Sequence, residues 1–320
     1  MQSFLHRFGM LSRGGFYFLR RAGMKCIVPG VLLVSLAGAA CGYDVAVSPA
    51  RPTGGEGFLL TVSSAGVDGC EVLFKGKTYV PWQAAAGQRE IFLPVSITDA
   101  GPLNIVIRPR PDAGGGTPAT AHVTVTKRNV PRIHLTASDE KMRDRQPSVA
   151  THQKAVLAAL RTRSDVRYWS DGFVLPLENA ISTPFALHRK GSSYAYYHKG
   201  LDFSAPGGTP VKAANDGRVI LSRDQLNIYG NTMTVDHGQG VVTCYFHLRD
   251  RLKQKGDSVH RNEVIARVGS SGWATGPHLH FGVYLQGEPV DPVWWKRFTA
   301  AQATVVQTEG VPVSDAAAIQ

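Results

Sequence analysis

Four histidines and one aspartate between residues 197 and 282 occur in patterns that can bind a metal ion. His198 and Asp202 are four residues apart, and a single residue separates His278 from His280. Successive side chains of an extended strand point to opposite faces, so residues two apart share a face. We therefore predict that His278 and His280 lie side by side on one face of a strand. The alternate residues are apolar and are expected to face the core: Leu279, Phe281, Val283 and Leu285.

The remaining histidine of the set, His247, lies in a run of residues that predicts a second strand. Counting alternate residues from position 242 predicts a buried face and an open face. The buried face would consist of Val242, Cys244, Phe246 and Leu248, and the open face of Thr243, Tyr245 and His247. His247 is thus expected to point toward the site.

The segment from His198 to Asp202 is predicted to be a loop that enters a short strand. A spacing of four residues would also place both side chains on one face of a helix. Gly200 and the run APGG at residues 205–208 disfavour a helix at this position.

Two imidazole nitrogens and one carboxylate oxygen are a normal ligand set for Zn²⁺, and three protein ligands leave the fourth tetrahedral position for water. The metal lowers the pKa of that water to roughly 7 and polarises a carbonyl group, so such a site favours hydrolysis. The same ligands also suit other divalent metals. Spacing alone does not identify which of the histidines bind the metal.

Five short segments resemble the lysostaphin-type (LytM-type) zinc endopeptidases of bacterial cell walls. They are HKGLD at 198–202, YGN at 229–231, DHG at 236–238, YFHL at 245–248 and GPHLHF at 276–281. The family signature consists of H-x-x-x-D, a single strand histidine and H-x-H, and these parts occur here in the same order. The resemblance covers approximately residues 173–295.

The resemblance implies that His198, Asp202 and His280 bind one zinc ion. It also implies that His247 and His278 act on the water and on the tetrahedral intermediate. The implied reaction is the hydrolysis of peptide cross-links in peptidoglycan during cell-wall remodelling. The alternatives are a non-catalytic envelope regulator that activates a wall amidase, and a secreted protease that acts on proteins.

The other histidines are expected to have structural or solvent-exposed roles, because a single histidine in a strand or turn is usually hydrogen-bonded or solvated. Beyond the N-terminal 41 residues they are His122, His134, His152, His188, His237 and His260. The sequence has no H-E-x-x-H helix, so the glutamate base of thermolysin-like enzymes is absent.

Short β-rich runs in the N-terminal half, together with the fold that the resemblance implies for the C-terminal half, predict a mainly β protein with five segments. Residues 1–41 are expected to be a signal peptide, residues 42–129 an immunoglobulin-like β-sandwich, and residues 130–172 a connector with one helix from Ser148 to about Arg161. Residues 173–298 are expected to form an antiparallel-β LytM-type peptidase domain, and residues 299–320 a disordered tail. Because N-terminal segments often cover the groove in this family, autoinhibition by the connector is a further hypothesis.

The N-terminus predicts export to the cell envelope. Basic residues precede an apolar run from Cys26 to Ala40 that is too short to span a bilayer, and Met24 is an alternative start. Cys41 follows Gly-Ala-Ala and resembles a lipoprotein cleavage site, which would make the protein a membrane-anchored, periplasmic or outer-membrane lipoprotein. The alternatives are simple secretion and a disulfide between Cys41 and Cys70.

The formal net charge of the chain is +11, but it is unevenly distributed. Five basic residues and no acidic ones lie within the first 40 positions, so the remainder has a net charge of +6. A mildly basic protein suits an anionic polymer such as peptidoglycan. The absence of a dense Lys/Arg run argues against nucleic acid as the partner, whereas the N-terminal β domain suits docking to an envelope protein.

Overall fold

The computed structural model describes residues 32–34, 43–64, 69–111, 117–135, 149–192 and 195–309. Within these ranges the protein is mainly β, as predicted, and its sheets are almost entirely antiparallel. Most of the predicted export segment, including Cys41, and residues 310–320 lie outside the described ranges. Neither described helix has the length and apolar character needed to cross a membrane.

The N-terminal region consists of two antiparallel sheets. Their strands are β1 (Leu32–Val34), β2 (Asp44–Ser48), β3 (Gly57–Ser63), β4 (Cys70–Phe74), β5 (Lys77–Tyr79), β6 (Trp82–Ala85), β7 (Gln88–Pro94), β8 (Gly101–Pro109) and β9 (Ala119–Val125). One sheet has the order β1-β2-β3-β7-β6 and the other has the order β5-β4-β8-β9.

Alternating apolar residues of both sheets form one core. Phe58 and Leu60 of β3 are buried against Val72 of β4 and against Ile105 and Ile107 of β8. Burial on every second residue is what a strand with one core-facing side requires. The two-sheet arrangement agrees with the expected sandwich, and its assignment as immunoglobulin-like stays a prediction.

The C-terminal region contains the remaining sheets. Its strands are β10 (Arg132–His134), β11 (Ile181–Thr183), β12 (His188–Lys190), β13 (Ala195–Tyr197), β14 (Leu201–Ser204), β15 (Pro210–Lys212), β16 (Gly217–Leu226), β17 (Gly230–Gly238), β18 (Val241–Arg251), β19 (Ser258–Val259), β20 (Val264–Val268), β21 (His278–Leu285) and β22 (Glu288–Val290). The main sheet follows the order β11-β14-β21-β18-β17-β16-β19, with β15 and β20 paired at β18 and with β22 paired to β21. A small sheet has the order β10-β12-β13.

The connector is part of this region. Strand β10 pairs in parallel with β12, so Ile133 lies opposite Arg189. Helix α1 (Val149–Leu160) agrees with the predicted helix, and its Val156 and Leu160 are buried in one cluster with Phe246 of β18. The connector therefore covers part of one face of the main sheet.

The prediction of a disordered tail from residue 299 is wrong for its first part. Helix α2 extends over Pro292–Glu309. Thr299 is buried in this helix, donates a hydrogen bond to the carbonyl oxygen of Trp295 and accepts one from the backbone N–H of Phe173. The small, polar residues of the tail do not indicate a helix that packs on the core. The aromatic residues that hold this helix in place precede residue 299.

The two regions meet through an aromatic cluster. Phe92 of β7 lies 5.3 Å from Trp295 and 6.0 Å from Trp169, measured between ring centroids. Arg128 adds an ion pair with Asp291 at 3.0 Å. Since Phe92 belongs to the core of the C-terminal region, we expect the two regions to unfold together.

Candidate metal centre

Three of the predicted side chains converge on one point. The Nε2 atom of His198 lies 3.0 Å from Oδ1 of Asp202, and Nδ1 of His280 lies 2.9 Å from the same oxygen. The two ring nitrogens are 3.0 Å apart. Among the described residues this trio forms a group that could hold a metal ion.

The pairing of two strands brings these residues together. Asp202 of β14 lies directly opposite His280 of β21 in the antiparallel register. His198 precedes β14 in a loop, as predicted, and backbone hydrogen bonds fix the loop: Ala186 N–H donates to the carbonyl of His198, and His198 N–H donates to that of Leu187. The loop and the strand register together bring His198 and His280 into contact, although 82 positions separate them in the sequence.

Hydrogen bonding defines which nitrogen of His198 faces the centre. Its Nδ1 lies 2.9 Å from the carbonyl oxygen of Pro184. A carbonyl oxygen only accepts, so Nδ1 carries the hydrogen and Nε2 presents a lone pair in the neutral ring. His280 reaches the centre with Nδ1 instead.

Buried acceptor atoms that face one another require a positive charge between them. Burial by itself would raise the pKa of Asp202, but its contacts with the ring nitrogens of His198 and His280, when these rings carry the proton, outweigh the effect of burial, and the pKa lies well below its usual range. Burial lowers the pKa of His280, and the hydrogen bond with Asp202 partly offsets this shift. The ionised carboxylate and the two ring nitrogens are therefore available as ligands.

The donor set fits a zinc ion. Two atoms at about 2.0–2.1 Å from one tetrahedral ion lie about 3.3 Å apart, and the three separations here are 2.9–3.0 Å. A small adjustment of the side chains accommodates the ion. The carbonyl oxygen of Pro184 also orients the ring of His198, an arrangement typical of metal-bound histidines.

His278 and His247 lie beside this trio. Their ring centroids are 4.6 Å apart, and the ring of His247 is 6.4 Å from that of His280. The ring of Phe246 stacks on His280 at 5.3 Å. The prediction that His278 and His280 share a face of their strand agrees with the observed burial, in which both are partly exposed and Leu279 and Phe281 are buried.

The prediction for the second strand is correct for the four residues expected to be buried, but they do not share one face, and the prediction is wrong for two of the residues expected to be open. Val242, Cys244 and Phe246 belong to the cluster on the α1 side of the sheet, where the site lies, whereas Tyr245 and Leu248 belong to the opposite core. Thr243 and Tyr245 are fully buried rather than open.

A β-bulge explains how His247 nevertheless reaches the site. His247 has a φ of 60°, and the register against β17 shifts between the pairs Asn231–Leu248 and Met233–Tyr245. The extra residue interrupts the alternation of the strand. The backbone N–H of His247 donates to the carbonyl of Tyr229 at 2.9 Å, which holds the bulge. Simple alternation would have placed His247 on the face of Tyr245, away from His198, Asp202 and His280.

Carbonyl oxygens also orient the rings of His247 and His278. Nδ1 of His247 lies 2.9 Å from the carbonyl oxygen of Ser271, and Nδ1 of His278 lies 2.9 Å from that of Gly276. Both Nδ1 atoms therefore donate, and both Nε2 atoms remain for chemistry. Burial, followed by the charges of His278 and His280, lowers the pKa of His247 to about 3.

A groove of about 640 Å³ contains the five side chains. Leu157 and Leu160 of α1 line one part of it, and Tyr229 and Trp273 line another. The groove includes both apolar and hydrogen-bonding walls.

The sequence assigned no role to Arg189, which also lines the groove. Its Nη2 atom lies 3.6 Å from Oδ2 of Asp202. The available signal was the run from 181 to 189, which resembles the S-x-F-G-x-R motif of the LytM-type family and ends in this arginine.

The predicted structural role of His237 is confirmed. This fully buried ring contacts the carbonyl oxygen of Asp216 at 2.7 Å and Oγ1 of Thr243 at 2.8 Å, and burial lowers its pKa to about 4. His260 is exposed beside Asp216. Cys244 is buried, as expected for a core residue.

Comparison with known proteins agrees with this geometry. Residues 196–292, which include all five side chains, match Peptidase family M23. The DD-carboxypeptidase/endopeptidase Mpg of Neisseria meningitidis serogroup B is 42% identical over 114 residues, which are 35% of this chain and 26% of Mpg. The peptidoglycan DD-endopeptidase ShyA of Vibrio cholerae is 36% identical over 120 residues, which are 38% of this chain and 26% of ShyA. The match thus spans about a quarter of the length of these curated relatives.

A solved structure extends the similarity in fold. A crystal structure of a protein assigned to peptidase M23 from Pseudomonas aeruginosa aligns with a TM-score of 0.56 and 26% identity. The alignment covers 78% of this chain and 96% of that chain, so it reaches well beyond the matched family segment. The similarity to Peptidase family M23 itself lies in residues 196–292 of this chain.

Proposed function

We propose that this protein is a zinc-dependent endopeptidase that hydrolyses peptide cross-links of bacterial peptidoglycan. The observation that carries the proposal is the convergence of His198, Asp202 and His280 beside two further oriented histidines. The names of the relatives, a DD-carboxypeptidase/endopeptidase and a peptidoglycan DD-endopeptidase, support the substrate class.

We assign the metal ligands to specific atoms: Nε2 of His198, Oδ1 of Asp202 and Nδ1 of His280. Bound zinc would act as a Lewis acid toward the scissile carbonyl and would lower the pKa of a water molecule. Pro184 and Phe246 restrict the rings of His198 and His280 through the hydrogen bond and the stacking described above. Restricted ligands favour one coordination geometry.

His247 and His278 would act on the reacting atoms through Nε2. A neutral Nε2 accepts the proton of the attacking water, and a protonated Nε2 donates to the oxyanion of the tetrahedral intermediate. One of the two rings performs the first task, and the other ring performs the second. Water adds to the carbonyl carbon, the C–N bond breaks, and the proton passes to the leaving amine.

Alanine variants separate the two groups of histidines. His247→Ala and His278→Ala should lower turnover on purified sacculi by roughly a hundredfold or more, because each removes a proton-transfer or oxyanion contact. Their zinc content should equal that of the wild type. His198→Ala should lose both turnover and zinc. A variant with full activity would remove that residue from the assignment.

The products distinguish the proposed enzyme from its alternatives. Digestion of sacculi should release soluble muropeptides with new amine termini, detected by mass spectrometry. A regulator that only activates an amidase would release none without that amidase. A general protease would cleave casein at a comparable rate, whereas we expect casein to remain intact.

The proposed substrate places the protein in the cell envelope. We further propose that the N-terminal β region serves as a spacer or docking module and that Cys41 is either lipidated or left without a lipid after simple secretion. Mass spectrometry of the mature N-terminus separates a diacylglyceryl-modified Cys41 from an unmodified chain.

A further inference from the structure

Arg189 is held beside the metal centre by weak contacts. Its Nη2 atom is 3.6 Å from Oδ2 of Asp202, and its Nη1 atom is 3.4 Å from the hydroxyl of Tyr196. Within the described part of the chain, its Nε atom is buried and has no hydrogen-bond partner. A guanidinium group has five N–H donors, so most of its donor capacity is unused.

These contacts do not resemble an optimised structural ion pair. Charge-assisted hydrogen bonds between arginine and carboxylate are about 2.7–2.9 Å long and are frequently bidentate. Arg189 makes one longer contact with Asp202. Oδ1 of Asp202 already contacts His198 and His280. Neutralising Asp202 therefore does not account for Arg189.

The groove around Arg189 favours a negative ligand group. Its other basic residues are Lys199 and Arg161, and its acidic residues are Asp202 and Glu288. Glu288 is paired with Lys77 at 3.0 Å, and Asp202 belongs to the metal centre. The charged side chains of the groove that remain are Arg189, Lys199 and Arg161, and all three are positive.

The position of Arg189 limits where such a group lies on a peptide. The Nη2 atom of Arg189 is 3.6 Å from Oδ2 of Asp202, so a substrate group about one residue length, 3.8 Å, from a scissile carbonyl bound at the trio can reach the guanidinium group. In a D-alanyl–diaminopimelate cross-link, the carboxyl group of D-alanine is itself the scissile carbonyl. The nearest free carboxylate is therefore on the carbon that bears the leaving nitrogen. An internal glycyl bridge has no carboxylate there.

We propose that Arg189 is a specificity residue that binds the substrate carboxylate on the carbon bearing the leaving nitrogen. This inference rests on the proposed function, since it names the cross-links that the same site prefers. The planar guanidinium group suits bidentate recognition of a carboxylate, whereas an ammonium group does not. Cross-links with this carboxylate are preferred over amidated or glycyl cross-links.

A pair of substrates tests the role of Arg189. One is a cross-linked muropeptide dimer with a free carboxylate at that carbon, and the other is the same dimer amidated there. The wild type, Arg189→Ala, Arg189→Lys and the control Lys190→Ala are compared by kcat/KM, zinc content and thermal stability. Lys190 is the exposed neighbour on β12 and does not line the groove.

Loss of Arg189 should selectively slow the cleavage of the dimer that carries the free carboxylate. Arg189→Ala should lower kcat/KM for the carboxylate dimer by about tenfold to hundredfold, the range expected for a hydrogen bond to a charged group. The amidated dimer should be cleaved at nearly the wild-type rate, and Lys190→Ala should change neither. Arg189→Lys should recover only part of the loss, because it keeps the charge without the planar fork.

Binding provides a readout that does not require turnover. Calorimetry in the His278→Ala background, with and without Arg189→Ala, gives the ratio of Kd values for the two dimers. Equal losses on both dimers, or a Kd ratio that Arg189→Ala leaves unchanged, would overturn the proposal and leave Arg189 as a positioning residue for Asp202. If the wild type cleaves neither dimer, the proposed function fails, and the Kd ratio still decides the role of Arg189.

Discussion

Gly200 provides a specific test of the metal centre. A Cβ atom at this position would lie 2.8 Å from Nε2 and 2.9 Å from Cε1 of His280, and it would also overlap the carbonyl oxygen of Phe281. Gly200→Ala therefore pushes against a proposed ligand without removing any ligand atom. The ring cannot simply retreat, because Phe246 stacks on it from the neighbouring strand.

The size of the effect follows from these distances. Ordinary contact between carbon atoms begins at about 3.5 Å, so the imidazole of His280 must move by about 0.7 Å. Metal–ligand distances tolerate only about 0.2 Å of error. Disturbing the support of a ligand typically lowers metal affinity by about 10–100-fold, which corresponds to about 1.4–2.8 kcal/mol. We expect a loss of this size in zinc affinity and a parallel loss of turnover.

Competition with a chromophoric chelator measures zinc affinity, and thermal unfolding of the metal-free protein shows whether the fold is retained. Gly207→Ala is the matched control, because a Cβ atom there would meet nothing within 4 Å. It reports the general effect of replacing glycine in this region. If Gly200→Ala bound zinc as tightly as Gly207→Ala, the assignment of His280 as a ligand would be refuted.

Three further predictions concern stability and access to the groove. The pKa of His237 is about 4 in the folded state, against about 6.5 when unfolded. The unfolded state binds more protons between these values, so the free energy of unfolding should fall by about 3 kcal/mol as the pH drops from 6.5 to 4. Urea unfolding at a series of pH values should show this decrease in the free energy of unfolding for the wild type but not for His237→Asn. The same dependence on pH in both proteins would contradict the prediction. Phe92→Ala should lower the free energy of unfolding by about 3–5 kcal/mol, because the ring packs on Trp295 between the two regions, and a loss below about 1 kcal/mol would contradict this packing. For the autoinhibition hypothesis, Leu157→Ala should show higher specific activity on sacculi than the wild type, because Leu157 lines the groove from α1, and equal activities would refute it.

The alternation of β21 was readable from the sequence because both of its faces have consistent chemistry. Polar or small residues alternate with large apolar residues from His278 onward. Burial then determines which row faces the core. The spacing of His198 and Asp202 was informative for a similar reason, since Gly200 between them disfavours a helix.

The faces of β18 could not be read in this way. Its residues from Val241 to Phe246 are buried on both sides, because α1 covers one face and the main core covers the other. A strand buried on both faces has no polar row to distinguish them. The positive φ of His247 breaks the alternation of the strand. Nothing in the local sequence predicts a positive φ at this histidine.

The same limit applies to α2 and to Arg189. The tail sequence predicts disorder, yet Thr299 is fixed by a hydrogen bond with Phe173, which lies 126 residues earlier in the chain. Arg189 acquires its position from β10, β12 and β13, whose pairing joins the connector to the C-terminal region. The Thr299–Phe173 hydrogen bond and the pairing of β10 with β12 both join residues that are far apart in the sequence.

The sequence by itself determined the type of chemistry, because the residue types and the local spacing of a metal site are written in short segments. It also determined the mainly β character through alternation and turn residues. Only the tertiary structure decided the distances among His198, Asp202 and His280, the bulge that turns His247 into the groove, and the position of Arg189 beside the carboxylate. These features depend on strand register and on packing between distant segments, which no local pattern specifies.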